Sequence, residues 1–307
     1  MDQTETVVLK NDVLSTKTRL SDREWIERIV LALLFLGLGA LIYIVFSPLR
    51  PLLDKTSSDR MVDYLGRAGL TAVLLAVVLL MRRSSHYQKY TPVFVGLLIM
   101  TVAVSLDRFL SVYLLEYLGV DGNTPAGFAL LKLNEAAIVV SVVILLTRLS
   151  GGSLGSIYIQ KGKLKLGLAI GLGTFLLAAA GSIPMAGLLF KGEGLTLARI
   201  LPWSPWVLIF VLANAAQEEL LFRGLFLRKL QPFFGNFLPI LMVAFVFTLL
   251  HNGVNYSSNN AIFIVAVTLL ALAWGYVMQK TDGIWASVLF HAGMDIPIML
   301  GIFSNLA

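Results

Sequence analysis

The sequence predicts an all-α, polytopic membrane bundle of eight or nine spanning helices, and three observations carry that reading. The chain of 307 residues is 57% hydrophobic and only 14% charged, where a soluble domain carries about 25% charged residues. Mean hydropathy is +0.83, and the apolar residues fall in repeated runs long enough to cross a hydrocarbon core. Charges inside those runs come in sets, the densest being Gln217-Glu218-Glu219-Leu220-Leu221-Phe222-Arg223, which interrupts an apolar stretch from Trp206 to Leu227. A lipid-exposed segment must satisfy its backbone internally, so the runs are read as helices and not as open sheet.

Nine apolar segments are expected. The first, 27–46, follows more than twenty mostly polar residues and reads as a retained anchor, not a cleavable signal peptide. Segments at 64–81, 91–117 and 126–148 follow. The third carries Asp107 and Arg108, and the fourth Lys132, Asn134 and Glu135; Asp107-Arg108 and Lys132/Glu135 are expected as pairs inside the bundle. The fifth, 164–190, has Gly167 and Gly171 at the GxxxG spacing of close helix packing. The sixth, 204–230, has Pro202 and Pro205 near its start, where proline is tolerated. It ends at the turn Gln231-Pro232-Phe233-Phe234-Gly235-Asn236. Segments at 237–251, 260–279 and 284–303 complete the chain, the seventh being short enough that it need not span fully. Trp203, Trp206 and Trp285 are expected as interface anchors.

Lysine and arginine asymmetry places the N-terminus in the cytoplasm. With that orientation, inside loops hold 16 of these residues, with Arg223 among them. Outside loops hold 6, with Arg67 among them. Residues 1–24 then form a cytoplasmic tail, 25–150 an N-terminal set of transmembrane helices, and 151–307 a core that holds the informative polar groups. The divide is the loop Ser150-Gly151-Gly152-Ser153-Leu154-Gly155 with the basic Lys161-Gly162-Lys163. The partner environment is the lipid bilayer, which in a prokaryote would be the cell membrane. The chain has no cysteine, which excludes cysteine nucleophiles, thiolate metal sites and disulfides. Its net charge of +6 reads as topology, and no nucleic-acid motif accompanies it. Gly151 to Gly155 fits G-x-S-x-G but follows no strand, so it is not a nucleophile elbow. His86 belongs to a solvated loop.

Ionisable residues at membrane depth usually mark a pathway or a catalytic site. Counted from Phe234, Glu218 lies 16 residues back and His251 17 residues forward. At 1.5 Å per residue both sit roughly 25 Å from the turn, which places them at similar depth. Adjacent helical residues point about 100° apart, so Glu218 and Glu219 cannot serve one small site equally. Glu219 and Arg223 are a favourable i, i+4 pair, leaving Glu218 for chemistry, with Asn214 one turn earlier as a hydrogen-bonding neighbour. Phe247 lies one turn before His251, which Asn252-Gly253 follows as a helix stop. His291 and Asp295 stack at i, i+4, and Pro297 suggests a bend near Gly293. From the turn at Thr281-Asp282-Gly283, His291 lies about 9 residues deep, roughly 13 Å. That is shallower than Glu218 unless the turns stand at different heights or the helices tilt.

Taken in order, Glu218-Glu219 through Arg223, Phe247 through His251 and His291 through Asp295 resemble the EExxxR, FxxxH and HxxxN/D pattern of the CPBP family of intramembrane proteases. That family includes type II CAAX prenyl endopeptidases and bacterial Abi proteins. The resemblance covers about 160–305. It implies hydrolysis of a peptide bond within the membrane, with Glu218 activating water and His251 holding it. His291 and residue 295 would hold either an oxyanion or a divalent metal. Asparagine donates hydrogen bonds and ionised aspartate does not, while a carboxylate with two histidines suits zinc or another divalent ion. Glu218, His251, His291 and Asp295 are the tentative metal set. Prenylated C-termini, bacteriocin-type leader peptides and membrane-protein segments stay open as substrates. An ion-coupled transporter, with the same acids and histidines as a relay, and a non-catalytic scaffold are the rival readings. A transporter often carries inverted repeats, and the glutamate and histidine motifs are not duplicated.

Overall fold

The computed structural model describes residues 21–42, 57–251 and 256–306. Lys10, Lys17, Arg19, Arg50 and Lys55 of the charge asymmetry, and the Asn252-Gly253 stop, lie outside the described residues. Among the described residues every regular element is helical. The longer helices are α1 (Asp22–Ala40), α2 (Ser57–Arg83), α3 (Thr91–Leu118), α4 (Pro125–Leu149), α5 (Leu164–Ala180) and α6 (Ser182–Leu189). A single turn, α7 (Leu197–Ile200), leads into α8 (Ser204–Glu218), and then come α9 (Leu225–Phe234), α10 (Phe237–His251), α11 (Asn260–Thr281) and α12 (Trp285–Ser304). The residues divide after Leu34 into two compact units. In the first, Ser21 and Glu24 form a reciprocal capping box, with Glu24 N on Ser21 Oγ at 3.3 Å and Ser21 N on Glu24 Oε2 at 3.1 Å. This satisfies two of the donors that a helix start leaves open.

Six described helices are long and apolar enough to cross a membrane, or seven if α5 and α6 count as one span. The expected eight or nine is therefore not reached by this measure. Segment 164–190 is broken by a 63° bend between α5 and α6. Helix α10 has 15 residues, about 22 Å of helix against a hydrocarbon core of about 30 Å. The first segment is described only to Ile42.

Helix α12 lies at the centre of the second unit, against α5, α6, α8 and α11, and its packing on α5 is the most extensive in the bundle. Small residues permit this. A Cβ on Gly171 would lie 2.9 Å from the Leu289 Cβ, and one on Gly293 would lie 2.6 Å from the Phe175 Cα. The GxxxG expectation thus holds, with Gly293 supplying the matching gap on α12. Gly293→Val is expected to lower thermal stability in detergent by about 1–3 kcal/mol, the usual cost of overpacking. Gly173→Ala, which meets nothing within 4 Å, should not. Equal melting temperatures for the two variants would contradict this account of the contact.

Two expectations about buried charge need correction. Arg67 is not in a loop: it is 2% exposed inside α2 and bonds Asp63 at 2.9 Å. Asp107 and Arg108 do not pair with each other, because neighbours on a helix point apart. Arg108 Nε lies 3.6 Å from Asp63, and Asp107 accepts from the Ser111 hydroxyl at 2.5 Å. The Lys132–Glu135 pair forms as expected, at 2.5 Å.

Candidate active site

Glu218 ends α8, and the next six residues, Glu219–Gly224, form a π-helical turn before α9 begins. All six are buried. Such turns recur at functional sites, and this one carries Glu219 and Arg223 inward together. Arg223 Nη1 donates to Glu219 Oε1 at 2.6 Å, and both side chains are fully buried. The guanidinium also lies over the rings of Phe247 at 4.6 Å and Trp274 at 5.1 Å, so aromatic faces share its charge. The expectation that Arg223 belongs to a cytoplasmic loop is therefore wrong.

Glu219 does more than pair with Arg223. Its Oε1 also accepts from His291 Nδ1 at 2.8 Å, and its Oε2 accepts from the Ser287 hydroxyl. A carboxylate only accepts, so Nδ1 carries the proton and Nε2 of His291 is left for other groups. That atom lies 3.6 Å from Glu218 Oε2 and 3.6 Å from Asp295 Oδ1. The Trp274 indole stacks on the imidazole, with centroids 3.9 Å apart and planes 11° apart, and fixes its plane. Asn214 donates to Asp295 Oδ2 at 3.0 Å and not to Glu218 as the spacing on α8 suggests. Glu218 Oε2 is buried with no hydrogen-bond partner among the described residues.

His251 Nδ1 lies 2.9 Å from the Phe247 carbonyl. The carbonyl accepts, so Nδ1 donates and the lone pair of the neutral ring is on Nε2. Glu218, His251, His291 and Asp295 all line one cavity of about 530 Å³. Tyr256 lines it too; burial, and then the nearby Asp295 and Glu218 charges, push its phenol up, so it stays a neutral hydroxyl. Among the described residues no three His, Asp or Glu side chains are gathered as a group that could hold a metal ion. The tentative four-residue metal set is brought to one cavity but not into a ligand geometry.

The expected mismatch in depth does not keep the side chains apart: His291 Nε2 lies 3.6 Å from Glu218 Oε2. Arg228, on α9, donates to Asp282, and Gln279, near the end of α11, donates to the Asn236 carbonyl in the α9–α10 turn at 3.1 Å. Gln160 also holds Asp282, through Nε2 to the carbonyl at 2.7 Å and to Oδ2 at 2.8 Å.

Sequence reasoning missed Ser287 and Trp274. Ser287, His291 and Asp295 recur at i, i+4 and i+8, one face of α12, and that period was the available signal. Nothing in the sequence singled out Trp274 from the other tryptophans.

The fold and site define a class: a helical membrane bundle whose acids and histidines converge at membrane depth. Residues 200–297 match the family model described as type II CAAX prenyl endopeptidase Rce1-like. Over those residues, about a third of the chain, the protein is similar to that family, and the match supports a CPBP family intramembrane protease. The match takes in Glu218, Glu219, Arg223, His251, His291 and Asp295. Together with the apolar helices it supports an integral membrane protein that acts as a CAAX-protease-like endopeptidase. No curated protein and no solved structure matched the chain in the corresponding searches.

Proposed function

We propose that the chain hydrolyses a peptide bond inside the membrane with water activated by Glu218. The observation that carries this reading is the unpartnered Glu218 Oε2, 3.6 Å from His291 Nε2. That separation is too long for a direct hydrogen bond and suits one bridging water. Glu218 takes a proton from that water as its oxygen attacks the carbonyl carbon. His251 Nε2 offers the lone pair that orients the second water proton. His291, protonated at Nε2, faces the oxyanion, and the Glu219 carboxylate behind Nδ1 supports the positive charge. Glu218 then passes its proton to the leaving amine as the C–N bond breaks. Peptides carrying a prenylated C-terminus are the substrates to test first, given the description of the matching family. The lysine and arginine asymmetry supports a cytoplasmic N-terminus.

The proposed mechanism routes no step through a metal, and among the described residues no three His, Asp or Glu side chains are gathered as a group that could hold one. The test is Asp295→Asn and the wild type, each assayed for cleavage of a prenylated peptide with and without chelator. Asn214 already donates to Asp295 Oδ2. An asparagine would set its carbonyl on Asn214 and its amide beside His291 Nε2, where it can donate to an oxyanion. Asp295→Asn should keep or gain activity, and the wild type should ignore chelator. Loss of activity in chelator, with recovery on adding excess zinc, would replace this mechanism with metal-assisted hydrolysis.

A further inference from the structure

We propose that Lys132 is a specificity-determining residue that receives the free carboxylate at the end of the substrate peptide. The proposal rests on the endopeptidase reading above but uses a part of the chain outside the family match. Lys132 and Glu135 are on α4, which packs along α8, the helix that ends in Glu218. Both line the cavity that holds Glu218, His251, His291 and Asp295. The expectation of a pair inside the bundle is met, but the pair is a wall of the candidate site.

The cavity wall combines apolar side chains, among them Phe128, Leu131 and Phe210, with three carboxylates, Glu135, Glu218 and Asp295. An anion entering such a space meets repulsion and loses its hydration. Among the described lysines and arginines, Lys132 is the one that lines the cavity, and its charge is felt at Glu218. Its Nζ donates to Glu135 Oε2 at 2.5 Å and lies 5.8 Å from the Phe210 ring centre. An ammonium has three donors, and Glu135 accepts one. Among the described residues no second hydrogen-bond acceptor reaches Nζ, although the side chain is only 13% exposed. A half-buried cation with donors to spare, on the wall of a site for peptides, fits a carboxylate. Every unmodified peptide end supplies one, whereas an acidic side chain does so only in some sequences. Glu135 would hold the ammonium in place between turnovers and share it when substrate is bound.

The test measures binding in Glu218→Gln protein, full-length and in detergent, so that it does not depend on hydrolysis. Three peptides share a farnesylated cysteine followed by three residues: one ends in a free carboxylate, one in an amide, and one in an amide with glutamate last. The free acid should bind about tenfold tighter than the plain amide, as a charged hydrogen bond warrants. The third peptide should bind no better than the plain amide. Adding Lys132→Met should bring the acid-to-amide ratio close to one, and Lys132→Arg should preserve a preference. An undiminished ratio in the Lys132→Met protein would overturn the assignment, as would equal binding of acid and amide with Lys132 in place. Tight binding of the glutamate-ended amide would reassign the cation to a side chain and overturn recognition of the peptide end. Wild-type cleavage of acid and amide at equal efficiency would remove the role of Lys132 and leave the endopeptidase reading standing. Binding of none of the three would overturn this assignment together with the prenylated substrate on which it rests, and cleavage of another peptide would still test the endopeptidase reading separately.

Discussion

Glu218→Gln is expected to abolish peptide hydrolysis while leaving the melting temperature in detergent close to that of the wild type. Glutamine keeps the shape of the side chain and removes the base. Glu218 Oε2 makes no hydrogen bond among the described residues, so little that holds the bundle together is lost with the charge. The position is buried, and a neutral amide is cheaper to bury than a carboxylate, which favours the folded state of the variant. A loss of the water-activating step at a general base lowers rate by about 10²–10⁴-fold or more. Cleavage of a prenylated peptide by purified protein is the measurement. Full activity in Glu218→Gln would remove the glutamate-water mechanism, whatever the fate of the family assignment.

Glu219→Gln should do the reverse in stability and the same in activity. This carboxylate holds three partners: Arg223, His291 and Ser287. Neutralising it leaves the fully buried Arg223 guanidinium without a counter-charge, which typically costs about 3–5 kcal/mol. It also takes the negative charge from behind His291 and so weakens any charge the imidazole must carry. Thermal unfolding and peptide cleavage should both fall. The double variant Glu219→Gln/Arg223→Met separates the two effects. It has no orphan cation, so it should regain part of the lost stability, but it should stay inactive because His291 has not regained its carboxylate. A Glu219→Gln protein as stable as the wild type would mean that the buried pair contributes nothing to the fold.

Much of this site can be read from spacing along one helix. The Glu219–Arg223 and His291–Asp295 relations are i, i+4 neighbours, and the Lys132–Glu135 pair is i, i+3; the helical period alone predicts all three. The helical class follows as directly, since charge is scarce and apolar runs recur. What spacing does not carry is the relation between helices. Asn214 is one turn from Glu218 on α8, yet it bonds to Asp295 on α12, because side chains one turn apart can still be aimed at different neighbours. Ser287 and Trp274 are neutral residues that draw no attention until α12 and α11 are set beside Glu219. The count of eight or nine spans is not confirmed for a related reason. The bend near Gly181 is invisible to a scale that sums hydropathy along a straight run, whereas the shortness of the 237–251 helix was legible from its length. Arg67 and Arg223 entered the charge count as loop residues because a count by side of the membrane does not register burial, even where, as with Glu219 and Arg223, the i, i+4 partner was legible.

The bond from Arg228 to Asp282 has a consequence for how this sequence can change. It fixes the start of α12 against α9, and so makes the run from Asp282 to His291 a fixed length. One residue added within that run would turn His291 by about 100° and displace it by about 1.5 Å, away from Glu219 and off the Trp274 ring. The same addition beyond Ser304 would leave the imidazole where it is. Drift in length is therefore cheap beyond the end of this helix and ruinous ahead of the histidine, so the gene can tolerate insertions and deletions past Ser304 far more readily than between Asp282 and His291.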